Sequence, residues 1–182
     1  MSEDLLELVI EEPAWTETLP EIEALAGTAA RLALQAAGLD PTRWTLCLLA
    51  CDDGRIAGLN RDFRARAAPT NVLSWPAFEL APEHPGARPA APPQSAAGLR
   101  QSLGDVAIAL QTTRREAGAS ATPLKDHVIH LILHGCLHLL GFDHEAEADA
   151  ETMEGVETRA LARIGVADPY MRGDAGQPHP KR

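Results

Sequence analysis

Residues 134–144 read HGCLHLLGFDH, which sets His134, His138 and His144 around Gly141. Two histidines four apart on a helix share one face, about 6 Å from each other along the axis, so both imidazoles can reach one metal ion. A third ligand on the next turn of the same straight helix would stand too far away. Gly141 can adopt the left-handed conformation that ends a helix, so the chain can turn and return His144 to the same ion. Three neutral imidazoles leave a fourth tetrahedral position open, the arrangement of a catalytic zinc rather than a structural one. Five of the seven histidines fall between His127 and His144, which separates this segment from a helix with one packed histidine. One Zn2+ per chain is the expected cofactor, although ligand type alone leaves Ni, Co and Fe open.

The pair lies in a run that is apolar nearly all round: Leu124, Val128, Ile129, Leu131, Ile132, Leu133, Leu137, Leu139 and Leu140. A helix apolar on all sides is buried, with Thr122 expected as its cap and Pro123 at its first position. A last helix is expected over residues 145–164, with Met153, Val156, Ala160, Leu161 and Ile164 inward and acids at its start. Upstream, residues 5–11 and 44–51 read as strands, and 20–37 as an amphipathic helix between Pro20 and Gly38. Asp52-Asp53-Gly54 reads as a turn, followed by a short helix through Ile56, Leu59, Asn60 and Phe63 and by strands at 71–75 and 103–110. The expected fold class is α+β: a small mixed β-sheet of about four strands packed with about five helices around the buried histidine-bearing helix. Residues 1–170 are expected to form a single domain. Within it, 81–98 hold five prolines and read as an exposed mobile loop, and 171–182 read as a disordered tail.

A chain of 182 residues suits one core. Its net charge of −10 argues, taken alone, against phosphate binding. The charge is uneven, however: RDFRAR at 61–66 and Arg114–Arg115 are basic, whereas the first 25 residues and 145–157 are rich in acid. The opening MSEDLLELVIEEP is acidic where a secretory signal needs basic then apolar residues. No apolar run is long enough to span a bilayer, so the expected site of action is cytoplasmic, with no membrane partner. Three cysteines are an odd number and read as no disulfide framework. Cys47 and Cys51 are expected to share one face of a strand as packing residues. Cys136, two residues from each helical histidine, is expected to point away from them.

A three-histidine zinc lowers the pKa of its water to about 7, which places the chemistry among hydrolyses or attacks at a carbonyl or phosphorus. Zincin proteases have a general-base Glu directly after the first His; Gly135 stands there instead. His, His, Gly and His otherwise match the extended metzincin spacing. Loss of a positioned base costs a factor of about 100 to 10,000, which disfavours peptide hydrolysis. Asp143, the nearest carboxylate in sequence, reads equally as a base or ligand-supporting acid and as a turn-forming residue. His130 reads as a residue behind the ligands or as packing, and His127 as a surface or helix-start residue.

HGCLHLLGFDH resembles the H-G-x-L-H-L-x-G-[YF]-D-H signature of the YbeY family, bacterial endoribonucleases that act in ribosomal RNA maturation. LNRDFR at 59–64 is similar to the family's L-N-x-x-[YF]-R. PTNVLSWP at 69–76 is similar to P-T-[DN]-V-L-S-F-P with Trp75 in the aromatic position, and LGDVAIAL at 103–110 to its G-D-[IV] strand. The resemblance runs in order from about residue 5 to Tyr170. It implies a reduced zincin-like fold, metal ligands at His134, His138 and His144, and a functional arginine at Arg64. Read from the residues alone, Arg64 is a solvated helix arginine; with the resemblance, it is expected to pair with the scissile phosphate. The implied activity is a zinc-dependent, single-strand-specific endoribonuclease in 16S rRNA 3′-end processing and ribosome quality control. Implied partners are single-stranded rRNA, the small ribosomal subunit, a small-subunit ribosomal protein and an Era-type GTPase. The alternatives are a metalloprotease or other metal hydrolase, and a ribosome-assembly factor with a structural metal. Two positions depart from the family pattern: Ala68 stands where an Asp often precedes P-T, and the 81–98 stretch is longer than usual.

Overall fold

The computed structural model describes residues 5–64, 68–95 and 98–171. Its sheet has four strands, β1 (Leu6–Ile10), β2 (Trp44–Cys51), β3 (Val72–Pro76) and β4 (Gln101–Ala109), in the order β1-β2-β4-β3. β1, β2 and β4 run parallel, and β3 runs antiparallel along the β4 edge. Among the described residues there are six α-helices rather than about five: α1 (Ala14–Thr18), α2 (Ile22–Ala36), α3 (Asp53–Arg64), α4 (Leu110–Ala119), α5 (Leu124–Leu139) and α6 (Glu147–Ala162). A single 3-10 turn, Pro41–Arg43, precedes β2. No helix among the described residues is long and apolar enough to cross a membrane.

Period-two alternation divides the sheet's side chains between two cores. Trp44, Leu46, Leu48 and Ala50 of β2, with Val106 and Ile108 of β4, meet α2, α5 and α6 in the larger one. Cys51, Ala107 and Ala109 face the other way, with Leu73 of β3 and Ile56 of α3. Cys47 and Cys51 do share that second face, Cys51 buried and Cys47 half-buried.

α5 is buried on most of its circumference, from Val128 to Leu139, as a helix apolar all round must be. Its start differs from the sequence expectation. Pro123, not Thr122, is the capping residue, and no side chain caps the helix. The Pro123 carbonyl takes the amides of Asp126 and His127 at 3.0 Å, and the Thr122 hydroxyl accepts from Ser120 instead. α4 was not foreseen, because its buried side is built from Leu110, Thr112, Thr113 and Ala117 and shows no apolar stripe. α6 stops at Ala162, which leaves Ile164 39% exposed beyond the helix rather than inward. The described residues of the proline-rich segment form no helix or strand, yet the segment is tied to α6: the Gly86 amide donates to Asp149 at 2.6 Å, and Thr152 donates to the Gly86 carbonyl at 2.9 Å.

Candidate metal centre

His134 and His138 lie one turn apart on α5, with ring centroids 4.6 Å apart. The helix ends in a Schellman turn: the amides of Gly141 and Phe142 bond back to the carbonyls of His138 and Leu137, both at 3.1 Å. Gly141 has φ +85°, the left-handed region that an L side chain resists. A Cβ there would also press on the Leu80 carbonyl and lie 2.6 Å from the Leu80 Cβ. The turn brings the His144 ring to 5.2 Å from His134 and 5.0 Å from His138. The three histidines present nitrogens within 4.8 Å of one another, a group able to hold a metal ion.

Hydrogen bonds fix which nitrogens face inward. His138 Nδ1 is 2.9 Å from the Phe142 carbonyl, which can only accept, so Nδ1 carries the proton. His134 Nδ1 is 2.7 Å from Glu157 Oε1 and likewise donates. Both Nε2 atoms are then bare lone pairs, and they face each other at 3.0 Å. Two lone pairs at that separation repel unless a cation lies between them. Ligand nitrogens about 2.0–2.1 Å from a tetrahedral zinc stand about 3.3 Å apart, so donor chemistry and spacing both fit such an ion. Burial, and then the neighbouring His134 and His144, pull His138 down from 6.5 to about 3 against the pull of the Phe142 carbonyl. The ring is therefore neutral, as a ligand must be.

Behind His134 lies a carboxylate that the sequence reading passed over. Glu157 of α6 is fully buried. Its Oε2 accepts from His130 Nε2 at 3.1 Å and from the Tyr170 hydroxyl, while Oε1 accepts from His134. Burial alone would raise this carboxyl, but the bonds from His130 and His134 outweigh it and hold the group at about 2. His130, His134 and Glu157 also lie close enough to hold a metal ion. In this second group, however, both rings already donate to Glu157, with no facing lone pairs.

The three histidines, His130 and Glu157 all lie inside a segment shared with known proteins. The family model described as Endoribonuclease YbeY matches residues 10–165. The chain belongs to the YbeY family. An Endoribonuclease YbeY of Ruegeria pomeroyi is 51% identical over 165 residues, covering 91% of this chain and 97% of the relative. One from Jannaschia sp. is 49% identical over 165 residues, covering 91% and 99%. The solution structure of TM1509 from Thermotoga maritima has the same fold, with a TM-score of 0.50 at 16% identity over 92% of this chain and 99% of that one.

The other residues singled out in this YbeY chain fall in different places. Arg64 is the last residue of α3, and its side chain lies outside the described residues. Next to it, Phe63 meets Trp75 of β3 edge-on at 5.5 Å. Asp143 Oδ1 accepts the amide of His144 at 2.7 Å, so this carboxylate holds the turn that delivers the third histidine. His127 bonds Glu116 of α4 at 3.2 Å, away from the three-histidine group. Gly135 shows why no protease-type base stands after His134. It packs over the cross-strand pair Ser74–Val106, where a Cβ would lie 2.8 Å from Val106 Cγ1 and 3.2 Å from Ser74 Oγ. The side chain of any residue at 135 would enter the sheet, not the metal centre. Cys136 is fully buried in the core. The tail expected over 171–182 lies outside the described residues beyond Met171.

Proposed function

We propose that this YbeY-family chain is a zinc-dependent endoribonuclease that cuts single-stranded RNA in the maturation of the 16S rRNA 3′ end and in ribosome quality control. The observation that carries this reading is the convergence of three imidazoles with nitrogens within 4.8 Å of one another, those of His134 and His138 facing each other at 3.0 Å, in a chain 51% identical to a relative named as an endoribonuclease. Bound at His134, His138 and His144, zinc supplies Lewis acidity toward a phosphoryl group. The protein's own residues do the rest. His134 and His138 are held rigidly on a buried helix, while His144 is exposed and leaves the centre open to a strand approaching from solvent. Arg64 pairs with the scissile phosphate, a role suited to a guanidinium. Asp143 keeps the His144 turn in place. The partners in this reading are the small ribosomal subunit, one of its proteins and an Era-type GTPase, and the compartment is the cytoplasm.

The test is cleavage of a short single-stranded rRNA fragment by metal-loaded protein, with and without chelator, beside a casein assay on the same preparation. RNA cleavage lost with chelator, and no casein cleavage, is the expected outcome. His138→Ala loses metal and cleavage together. Arg64→Ala keeps the metal and slows cleavage by about 100-fold or more. Full RNA cleavage by His138→Ala would overturn the assignment.

A further inference from the structure

The hydrogen bonds of Glu157 link three side chains and end on a ring of the metal centre. The carboxylate is acceptor-only and fully buried, and it takes donors from His130, His134 and Tyr170. Tyr170 is supplied by the segment after α6, which is folded back by Asp168: its Oδ1 accepts the Tyr170 amide at 2.9 Å and the Thr158 hydroxyl at 3.1 Å. His130 and Tyr170 also meet edge-on at 5.7 Å, so the two groups on Oε2 brace each other. The remaining oxygen, Oε1, is left with His134 Nδ1.

We infer that Glu157, braced by His130 and Tyr170, is the positioning residue of the metal centre: it locks His134 in the Nδ1–H tautomer so that a bare Nε2 points at His138 and His144. The inference rests on the proposed metal role of those three rings. An imidazole without such a partner can carry its proton on either nitrogen, and only one choice leaves the inner nitrogen free. Partners of this kind tune metal affinity by about 10- to 100-fold in other proteins. The C-terminal segment through Tyr170 thereby becomes part of the centre, although it contributes no ligand.

Two readouts test this separately from activity. Long-range 1H–15N spectra of the metal-free protein should show His134 protonated at Nδ1 in the wild type, and a mixture of tautomers in Glu157→Ala. Cobalt titration, followed by visible absorption, should show Co2+ affinity reduced by about 10- to 100-fold in Glu157→Gln. In Tyr170→Phe, which removes one hydroxyl and leaves the core intact, it should fall by about twofold or more. A wild-type His134 protonated at Nε2 would overturn the inference without any variant. So would Co2+ affinity unchanged in both Glu157→Gln and Tyr170→Phe. A wild type that takes up no cobalt yet shows the Nδ1–H tautomer would instead sink the metal reading of the three histidines and leave the locking role of Glu157 standing.

Discussion

Replacing Gly135 by alanine sets two effects of opposite sign against each other, and the structure says which wins. Alanine in a helix interior gains about 1 kcal/mol over glycine. The added methyl, however, would lie 2.8 Å from Val106 Cγ1, 3.1 Å from Val72 Cγ2 and 3.2 Å from Ser74 Oγ. The two valines are β-branched and stand on paired strands β3 and β4, so they cannot swing aside. Ser74 also donates to the Gly135 carbonyl at 3.0 Å, so lifting the helix away stretches that bond. Overpacking of this kind costs about 1–3 kcal/mol, and three simultaneous contacts place it toward the upper end. The net expectation is a loss of about 1–2 kcal/mol, read as a lower urea midpoint at unchanged m-value. Val106→Ala alone should cost about 2 kcal/mol through the cavity it leaves. Combined with Gly135→Ala it opens the space the new methyl needs, so the double variant should be more stable than the sum of the singles implies, by about 1 kcal/mol. A Gly135→Ala protein as stable as wild type, or strictly additive effects, would refute the close approach of α5 to the sheet. The steric reason for the missing protease acid would fall with it.

Further expectations concern the turn, the thiols and pH. Gly141→Ala should cost about 2 kcal/mol or more, because it combines left-handed backbone strain with a clash against Leu80; unchanged unfolding and metal uptake would contradict the turn as drawn. Burial pushes the Cys136 thiol up to about 12, and burial followed by the Glu11 and Asp52 charges does the same to Cys51, whereas Cys47 is only half-buried. A thiol reagent at pH 8 should therefore label Cys47 first and the other two only on unfolding, as peptide mapping would show. The His138 ring binds a proton near 6.5 when unfolded but only near 3 when folded. Between those values the unfolded chain holds more protons at this ring, so the contribution of His138 to the stability of the metal-free protein is fully present above pH 6.5 and falls by about 1.4 kcal/mol per pH unit below it, down to about pH 3. Urea titrations in chelator should show that slope, and an equal slope in His138→Gln would rule out this origin.

The metal-bearing helix was legible because both of its signals are local: an i, i+4 histidine pair and a glycine where the chain must turn left-handed. The parallel strands were legible from apolar runs, and β3 from its proline stop. α4 was hidden because Thr112 and Thr113 are buried in it, and threonines on an inner face do not register as a hydrophobic stripe. Glu157 was hidden for a different reason. It lies at a stripe position among Met153, Val156, Ala160 and Leu161, but it also closes the acid-rich stretch 145–157, where one more carboxylate does not stand out. An acid on the apolar face of an amphipathic helix is itself a signal, since a carboxylate is buried only with partners. Which partners it meets depends on how α6 lies against α5, and no window of sequence contains that.

The two helix imidazoles are aimed by different kinds of atom. His138 is oriented by the main-chain oxygen of residue 142, which every amino acid possesses, so no substitution at that position deletes the acceptor itself. His134 depends on a side chain 23 positions further along, and a single-nucleotide change from a glutamate codon to a glutamine codon alters it. Heritable variation therefore reaches one ring far more easily than its neighbour. Lesions that misorient a ring without removing a ligand should concentrate at codon 157 and at the glycine that shapes the turn, while the His138 tautomer is protected by the path of the chain.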